Sequence, residues 1–80
     1  MDDGTARLWT KVREREPIQL PEPKVRRAIR VTRGLRQLDI GEVVGVSDAA
    51  ICRYETGERE PRGGTRRRYA EVLEELRHGD

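Results

Sequence analysis

The 80-residue sequence predicts an all-α fold, and three observations support this prediction. Apolar residues recur at helical spacings of three, four and five around Gly45-Val46-Ser47, a turn so short that it can only join two steeply crossing helices. Charged residues make up 40% of the chain with both signs mixed, which is typical of a solvated helical surface. Only 34% of the residues are apolar and Phe is absent, so we expect one small core built from Leu, Ile, Val and Ala.

The first segment is predicted to be a short helix over residues 2–16. Leu8 and Val12 are spaced i, i+4 with Trp9 beside them, and the acidic pair Asp2-Asp3 favours a helix N-terminus.

Residues 17–23 contain three prolines, which fix φ and force an extended strap. We expect this strap to carry the N-terminal helix across the globular unit, with Ile18 or Leu20 packed against it. The alternative is a flexible linker. We therefore expect the chain to contain two units, the helix and strap at 1–23 and a domain at 24–78.

The next helix is predicted to begin at Pro23, which suits a first helical turn, and to end near Arg33. We expect one buried stripe and one outward-facing set of arginines. The stripe comprises Val25, Ala28, Ile29 and Thr32, and the outward set comprises Arg26, Arg27, Arg30 and Arg33.

Two further helices flank the short turn, at about 37–44 and 48–55. Gly45 occupies the position where a helix C-terminus favours a left-handed residue, and the Ser47 hydroxyl can cap the helix that follows. The second of these helices projects its first turn outward, where it can enter a DNA major groove. The predicted buried residues are Leu35, Ile40, Val43 and Val44 before the turn, and Val46, Ile51 and Tyr54 after it.

A loop at 56–64 is expected to precede a last helix that Thr65 caps. Its buried face is predicted to comprise Tyr69, Val72, Leu73 and Leu76. The helix is charged against its macrodipole, with Arg66–Arg68 in the first turn and glutamates toward the end. Either these bases face DNA phosphates, or they are solvated and Arg67 pairs with Glu71 at i, i+4. We favour the solvated face for Arg67 and leave Arg66 and Arg68 open.

Composition excludes several classes of protein. A single cysteine and the lack of any long apolar run exclude a disulfide scaffold, a zinc ribbon, a signal peptide and a membrane span, so we expect a soluble, cytoplasmic protein. The sequence has no Cys–His pair, carboxylate pair or nucleotide-binding loop. We therefore expect no enzyme activity, no cofactor, no metal and no small-molecule ligand.

Charge is distributed unevenly along the chain. Residues 1–23 hold four basic and five acidic groups, whereas residues 24–78 hold thirteen basic and nine acidic groups. The positive excess therefore lies on the domain at 24–78, as a phosphate-binding surface requires. Fifteen of the seventeen basic residues are Arg, which suits phosphate and guanine contacts, although a GC-rich genome also explains this bias.

Seven short elements, eleven residues in all, match a known pattern along this domain without a gap: Gly34-Leu35, Gln37, Gly45-Val46-Ser47, Ile51, Tyr54-Glu55, Gly57 and Pro61. Through them, the segment from Lys24 to Leu76 resembles the Cro and lambda-repressor-like helix-turn-helix proteins, or XRE family. The whole chain also looks like small regulators of actinobacteria and their phages. The resemblance implies a compact four-helix domain that binds double-stranded operator DNA as a transcription regulator, with a homodimer as the expected assembly.

The resemblance also implies which residues read DNA bases: Asp48, Ala49 and Arg53. Arg53 can donate two hydrogen bonds to guanine, Asp48 can accept one from cytosine N4, and Ala49 can contact a thymine methyl group. For Asp48 there is a second explanation, since a carboxylate in the first helical turn also satisfies free N–H groups.

Phosphate contacts are implied at two places. One comprises Arg36, Gln37 and Ser47, and the other Arg62 and Gly63, where bare N–H groups before a helix suit an anion. The chain departs from the family pattern at Arg36, which cannot cap a helix as the usual Ser or Thr does. We expect Asp39 to reach back to a backbone N–H instead.

A second departure is Gly41, which replaces the usual alanine and allows close approach of the two helices. Cys52 occupies a position where the family has a small residue, so packing or a weak groove contact is favoured over redox sensing. His78 is the other candidate for metal chemistry.

The alternative function is a protein-interaction or antitoxin-like module in which the helices serve as scaffold. Leu8, Trp9 and the LPxP segment at 20–23 would then form the partner surface. For a regulator, the lack of a ligand-binding or protease domain after the helices predicts control through protein level, unless the chain is a fragment.

Overall fold

The computed structural model describes residues 19–79, and this range contains four helices and no strand. The all-α prediction is therefore confirmed. The predicted helix at 2–16 and the start of the strap, with Ile18, lie outside the described residues. The four helices are α1 (Pro23–Thr32), α2 (Gln37–Val44), α3 (Asp48–Thr56) and α4 (Gly63–His78).

The core lies where both α3 and α4 pack against α1 and α2. Ile51 on α3 is fully buried and contributes about 1.5–3 kcal/mol by the removal of its side chain from water. The rings of Tyr54 and Tyr69 pack together with their centroids 5.4 Å apart. The buried apolar cluster comprises Ile40, Val44, Ile51, Tyr54, Tyr69 and Leu73, as predicted. The predicted residues Leu35, Val46, Val72 and Leu76 pack against it, half-buried.

The turn between α2 and α3 has the predicted geometry. Gly45 adopts a left-handed φ of 89°, and the Ser47 hydroxyl accepts a hydrogen bond of 3.1 Å from the N–H of Ala50. Gly41 allows the close approach that its lack of a side chain predicts: a Cβ there would lie 2.5 Å from the carbonyl oxygen of Val46. These features fix where α3 begins relative to α2.

The prediction for α1 was wrong about which face is buried. Arg26 is only 4% exposed and Arg30 and Arg33 are half-buried, whereas Val25 is exposed. Of the predicted stripe only Ile29 is half-buried; Ala28 and Thr32 are exposed too. Of the four arginines expected to face outward, only Arg27 is exposed. The physical reason is that carboxylate and carbonyl acceptors from other segments face this side of α1 and compensate the buried guanidinium groups.

Two further predictions need correction. Val43 is 66% exposed, because the buried side of α2 is formed by Ile40, Gly41 and Val44 instead. The last helix begins at Gly63 and not after a Thr65 cap. Its first helical hydrogen bond runs from the N–H of Arg66 to the carbonyl of Arg62, so Arg62 precedes the helix and no side chain caps this end.

The ends of the described chain are held by α1 and the core. Leu20 packs against the core cluster, which confirms the prediction for this part of the strap. Arg33 donates from Nε to the carbonyl of Leu76 at 2.7 Å and from Nη2 to that of Gly79. A cation there stabilises the C-terminal end of α4, where the last carbonyls lack helical partners.

Candidate nucleic-acid interface

One side of α3 is exposed along its whole length. Ile51, Tyr54 and Glu55 are buried on the opposite side, so the helix is anchored by its inner face alone. The exposed stripe comprises Asp48, Ala49, Cys52, Arg53 and Thr56. All three residues predicted to contact bases therefore lie on one surface.

Asp48 already has a local role in the first turn of α3. Its Oδ1 accepts a hydrogen bond of 2.9 Å from the N–H of Ala49, next to the cap that Ser47 provides. This contact is the one that the second explanation for Asp48 requires. The carboxylate satisfies a backbone donor and leaves Oδ2 without a described partner.

The buried side of α3 is fixed by an ion pair that sequence reasoning missed. Arg30 donates to both carboxylate oxygens of Glu55, from Nε at 2.6 Å and from Nη2 at 2.9 Å. The hydrogen bond with Glu55 raises the pKa of Arg30 above its ordinary value. The two residues are 25 positions apart, and nothing local in the sequence marks them as partners.

Gln37, at the start of α2, joins the same group. Its Nε2 donates to Oε1 of Glu55 at 3.2 Å. Gln37 thereby braces α3 through a direct hydrogen bond. It connects the beginning of α2 to the end of α3.

Arg36 precedes Gln37 and is engaged with Asp39. Asp39 accepts from the backbone N–H of Arg36 at 2.8 Å, which is the reach back that the sequence predicts, and its Oδ1 lies 2.9 Å from Nη2 of Arg36. The side-chain and backbone hydrogen bonds from Arg36 lower the pKa of Asp39, and the bond to Asp39 raises the pKa of Arg36. The side chain of Arg36 remains 74% exposed.

Arg62 and Gly63 lie at the start of α4, and both are exposed. Gly63 has a left-handed φ of 58°, and the first N–H groups of α4 carry no side-chain cap. The structure therefore keeps the combination of a cation and bare N–H groups that the sequence predicts, although these glycines begin the helix and do not precede it.

The bases at the start of α4 have different surroundings. Arg66 lies 3.8 Å from Glu60, and Arg68 extends beside Gly45 at the turn before α3. Arg67 is exposed.

The remaining candidates have surface positions. Cys52 is exposed, and His78 lies 2.8 Å from Glu74 on the same face of α4. Among residues 19–79, no three His, Cys, Asp or Glu side chains come close enough to hold a metal ion. No helix in this range is long and apolar enough to cross a membrane.

A helix-turn-helix family model matches residues 27–76, more than half of the chain. The chain belongs to the XRE family of helix-turn-helix proteins. XRE-family proteins are DNA-binding regulators and are generally not enzymes. The match begins at Arg27 and therefore contains α2 and α3 completely but neither the strap nor Arg26. Neither a curated protein nor a solved structure matches the chain.

Proposed function

We propose that this XRE-family protein is a sequence-specific, double-stranded-DNA-binding transcription regulator of the repressor or Cro type. The observation that carries the proposal is the exposed side of α3, which has no packing role while its buried side is fixed by Ile51, Tyr54 and Glu55. A helix held in this way presents a rigid surface to the major groove, which is about 12 Å wide and accepts one α-helix.

Three side chains supply the proposed base contacts. Arg53 presents a planar pair of donors that match O6 and N7 of guanine. Ala49 is small enough to approach a thymine methyl group. Asp48 uses its remaining oxygen to accept from cytosine N4, since its other oxygen is occupied by the N–H of Ala49.

Phosphate contacts on both sides of α3 supply most of the proposed affinity. Arg36, Gln37 and Ser47 form one group, and Arg62 with the first N–H groups of α4 forms the other. Arg36 contacts a phosphate only by sharing its guanidinium with Asp39, because that pair is already formed in the free protein. Arg62 is exposed and is the more direct contact.

We further propose that two copies bind together, with their recognition helices about 34 Å apart, so that each reads one half-site. Selection of bound duplexes from a random library tests both ideas. A pseudo-palindromic consensus with half-sites one helical turn apart is expected. A consensus with a single asymmetric half-site, bound by one chain in light scattering at saturation, would overturn the dimer. Recovery of no consensus at all would overturn sequence-specific binding.

The salt dependence of binding separates this function from a protein-interaction module. Phosphate contacts release counterions, so affinity should fall steeply as salt rises, whereas an apolar partner surface depends on salt only weakly. Leu20, part of the segment that would form such a partner surface, is half-buried and packs against the core. Its burial favours DNA as the partner.

A further inference from the structure

Arg26 is a buried cation whose guanidinium joins three separate parts of the chain. Its Nε donates to the carbonyl of Pro21 in the strap at 2.7 Å. Its Nη1 donates to the carbonyl of Tyr54 near the end of α3 at 3.0 Å. Nη1 and Nη2 also donate to the two carboxylate oxygens of Glu60, each at 3.0 Å.

The pairing with Glu60 fixes direction as well as distance. A bidentate contact between guanidinium and carboxylate is planar. It therefore orients both groups, which a single hydrogen bond does not. Burial of an unpaired charge is costly, and the four hydrogen bonds offset that cost only in this geometry. Arg26 therefore holds Glu60 in one position relative to the end of α3.

Glu60 lies two residues before Arg62, so the position of Glu60 affects that of Arg62 through the single residue between them. Pro61 is buried and has a fixed φ, so the backbone has little freedom between the carboxylate contact and the start of α4. The loop at 57–62 is thus attached to α3 at one end by the chain and at the other by Arg26.

We infer that Arg26 and Glu60 are positioning residues for the phosphate contact at Arg62 and Gly63. They set the distance between that contact and the base-reading side of α3, so that both meet DNA in register. The inference rests on the proposed function. Arg26 itself lies just before the residues that the family model matches.

Glu60→Gln is the test variant, and Glu58→Gln is its matched control. Both residues lie in the same exposed loop, and both changes raise the net charge by one, but only Glu60 bonds to Arg26. Removal of a negative charge alone should strengthen DNA binding. We expect tighter binding by Glu58→Gln than by the unchanged protein, and no such gain for Glu60→Gln.

A double-mutant cycle with Arg62→Ala measures the positioning directly. In the unchanged protein and in Glu58→Gln, Arg62→Ala should lower the affinity for the selected duplex. In Glu60→Gln that loss should be smaller by about three-fold or more, because Arg62 is no longer held in place. Glu60→Asp, which keeps the charge but shortens the reach to Arg26, should reduce the effect of Arg62→Ala in the same way.

Amide hydrogen exchange without DNA provides an independent readout. Exchange at Arg59, whose N–H donates to the carbonyl of Arg53 at 3.3 Å, should be faster in Glu60→Gln than in Glu58→Gln, while exchange in α2 is unchanged. If the unchanged protein binds DNA but the cycle is additive, the inference is overturned and the pair serves stability alone. If the unchanged protein shows no salt-dependent duplex binding, the proposed function fails, and the phosphate role of Arg62 fails with it.

Discussion

Glu55 of α3 accepts hydrogen bonds on both carboxylate oxygens from the guanidinium of Arg30 in α1, at 2.6 and 2.9 Å. The side chain of Glu55 is 3% exposed and that of Arg30 is 13% exposed, so the pair is shielded from water. Gln37 adds a third hydrogen bond to the same carboxylate. Helix α3 is therefore oriented from its buried side by groups on both preceding helices.

Replacement of Glu55 by Ala should destabilise the domain by about 3–5 kcal/mol, because the Arg30 charge would stay buried without its partner. Urea unfolding followed by circular dichroism measures this loss. Glu58→Ala, an exposed change of the same residue type three positions later, should shift stability by only about 0.5 kcal/mol or less. Similar losses in the two variants would mean that the buried pair contributes nothing specific.

Replacement of Arg53 by Ala should weaken binding to the selected duplex by about 1–3 kcal/mol and relax the preference at one base pair per half-site. Arg53 lies between the buried residues Ile51 and Tyr54 in sequence, so its side chain leaves α3 on the exposed side. The measurement compares affinities for selected and scrambled duplexes at one salt concentration.

Arg53→Lys is the matched variant for this prediction. It keeps the charge and its attraction to phosphates but loses the planar fork that fits guanine. It should therefore retain affinity for the scrambled duplex and lose the base preference. Equal losses on both duplexes for Arg53→Ala would show that Arg53 contacts a phosphate and not a base.

Replacement of Arg62 by Ala should weaken binding to all duplexes alike, since one phosphate contact is lost. The slope of the logarithm of the binding constant against the logarithm of the salt concentration should become shallower by about one unit. The control is Arg77→Ala, an equal change of charge near the other end of α4, about 20 Å along the helix axis from Gly63. The slope should stay unchanged in that variant. A slope that is also unchanged in Arg62→Ala would make Arg62 an ordinary loop residue.

The stability that Asp39 contributes should depend on pH in the acid range. Its pKa is lowered in the folded protein by the hydrogen bonds from the side chain and backbone of Arg36, so folding favours the carboxylate. This contribution is fully present above the ordinary Asp pKa of about 3.9. It is lost as the pH falls through the lower pKa that Asp39 has in the folded protein.

Thermal unfolding of the unchanged protein and of Asp39→Asn measures this dependence. Asn can still accept from the backbone N–H, so the variant removes mainly the charge. At pH 6 the unchanged protein should unfold at a higher temperature than Asp39→Asn. The difference between the two unfolding temperatures should be smaller at pH 3. An equal difference in unfolding temperature at pH 6 and pH 3 would mean that Asp39 stabilises the protein by capping alone.

Local features were predictable because their causes lie within a few residues. The Ser47 cap and the reach of Asp39 to Arg36 each join residues three positions apart, and Pro23 at the start of α1 and the left-handed Gly45 likewise act within one helical turn. Helical spacing likewise identified the core side of α3 and of α4. The exposed side of α3, with Arg53, follows from the same periodicity.

The prediction for α1 was wrong because hydrophobic periodicity treats every arginine as a surface residue. Whether a guanidinium is buried depends on acceptors that the rest of the fold brings to it. For Arg26 these are the carbonyl of Tyr54, 28 positions away, and Glu60, 34 positions away. For Val43, the buried side of α2 includes Gly41, which hydrophobic periodicity does not count as a core residue.

The amino-acid sequence by itself determined the helices, the turn and the residues that face outward from α3, because backbone conformation, capping and periodicity are short-range. Tertiary structure alone decided which charges are buried. It placed Arg30 of α1 next to Glu55 in α3, and Arg26 of α1 next to Glu60 in the loop that follows α3. A buried charge is stable only where the folded chain supplies its partner.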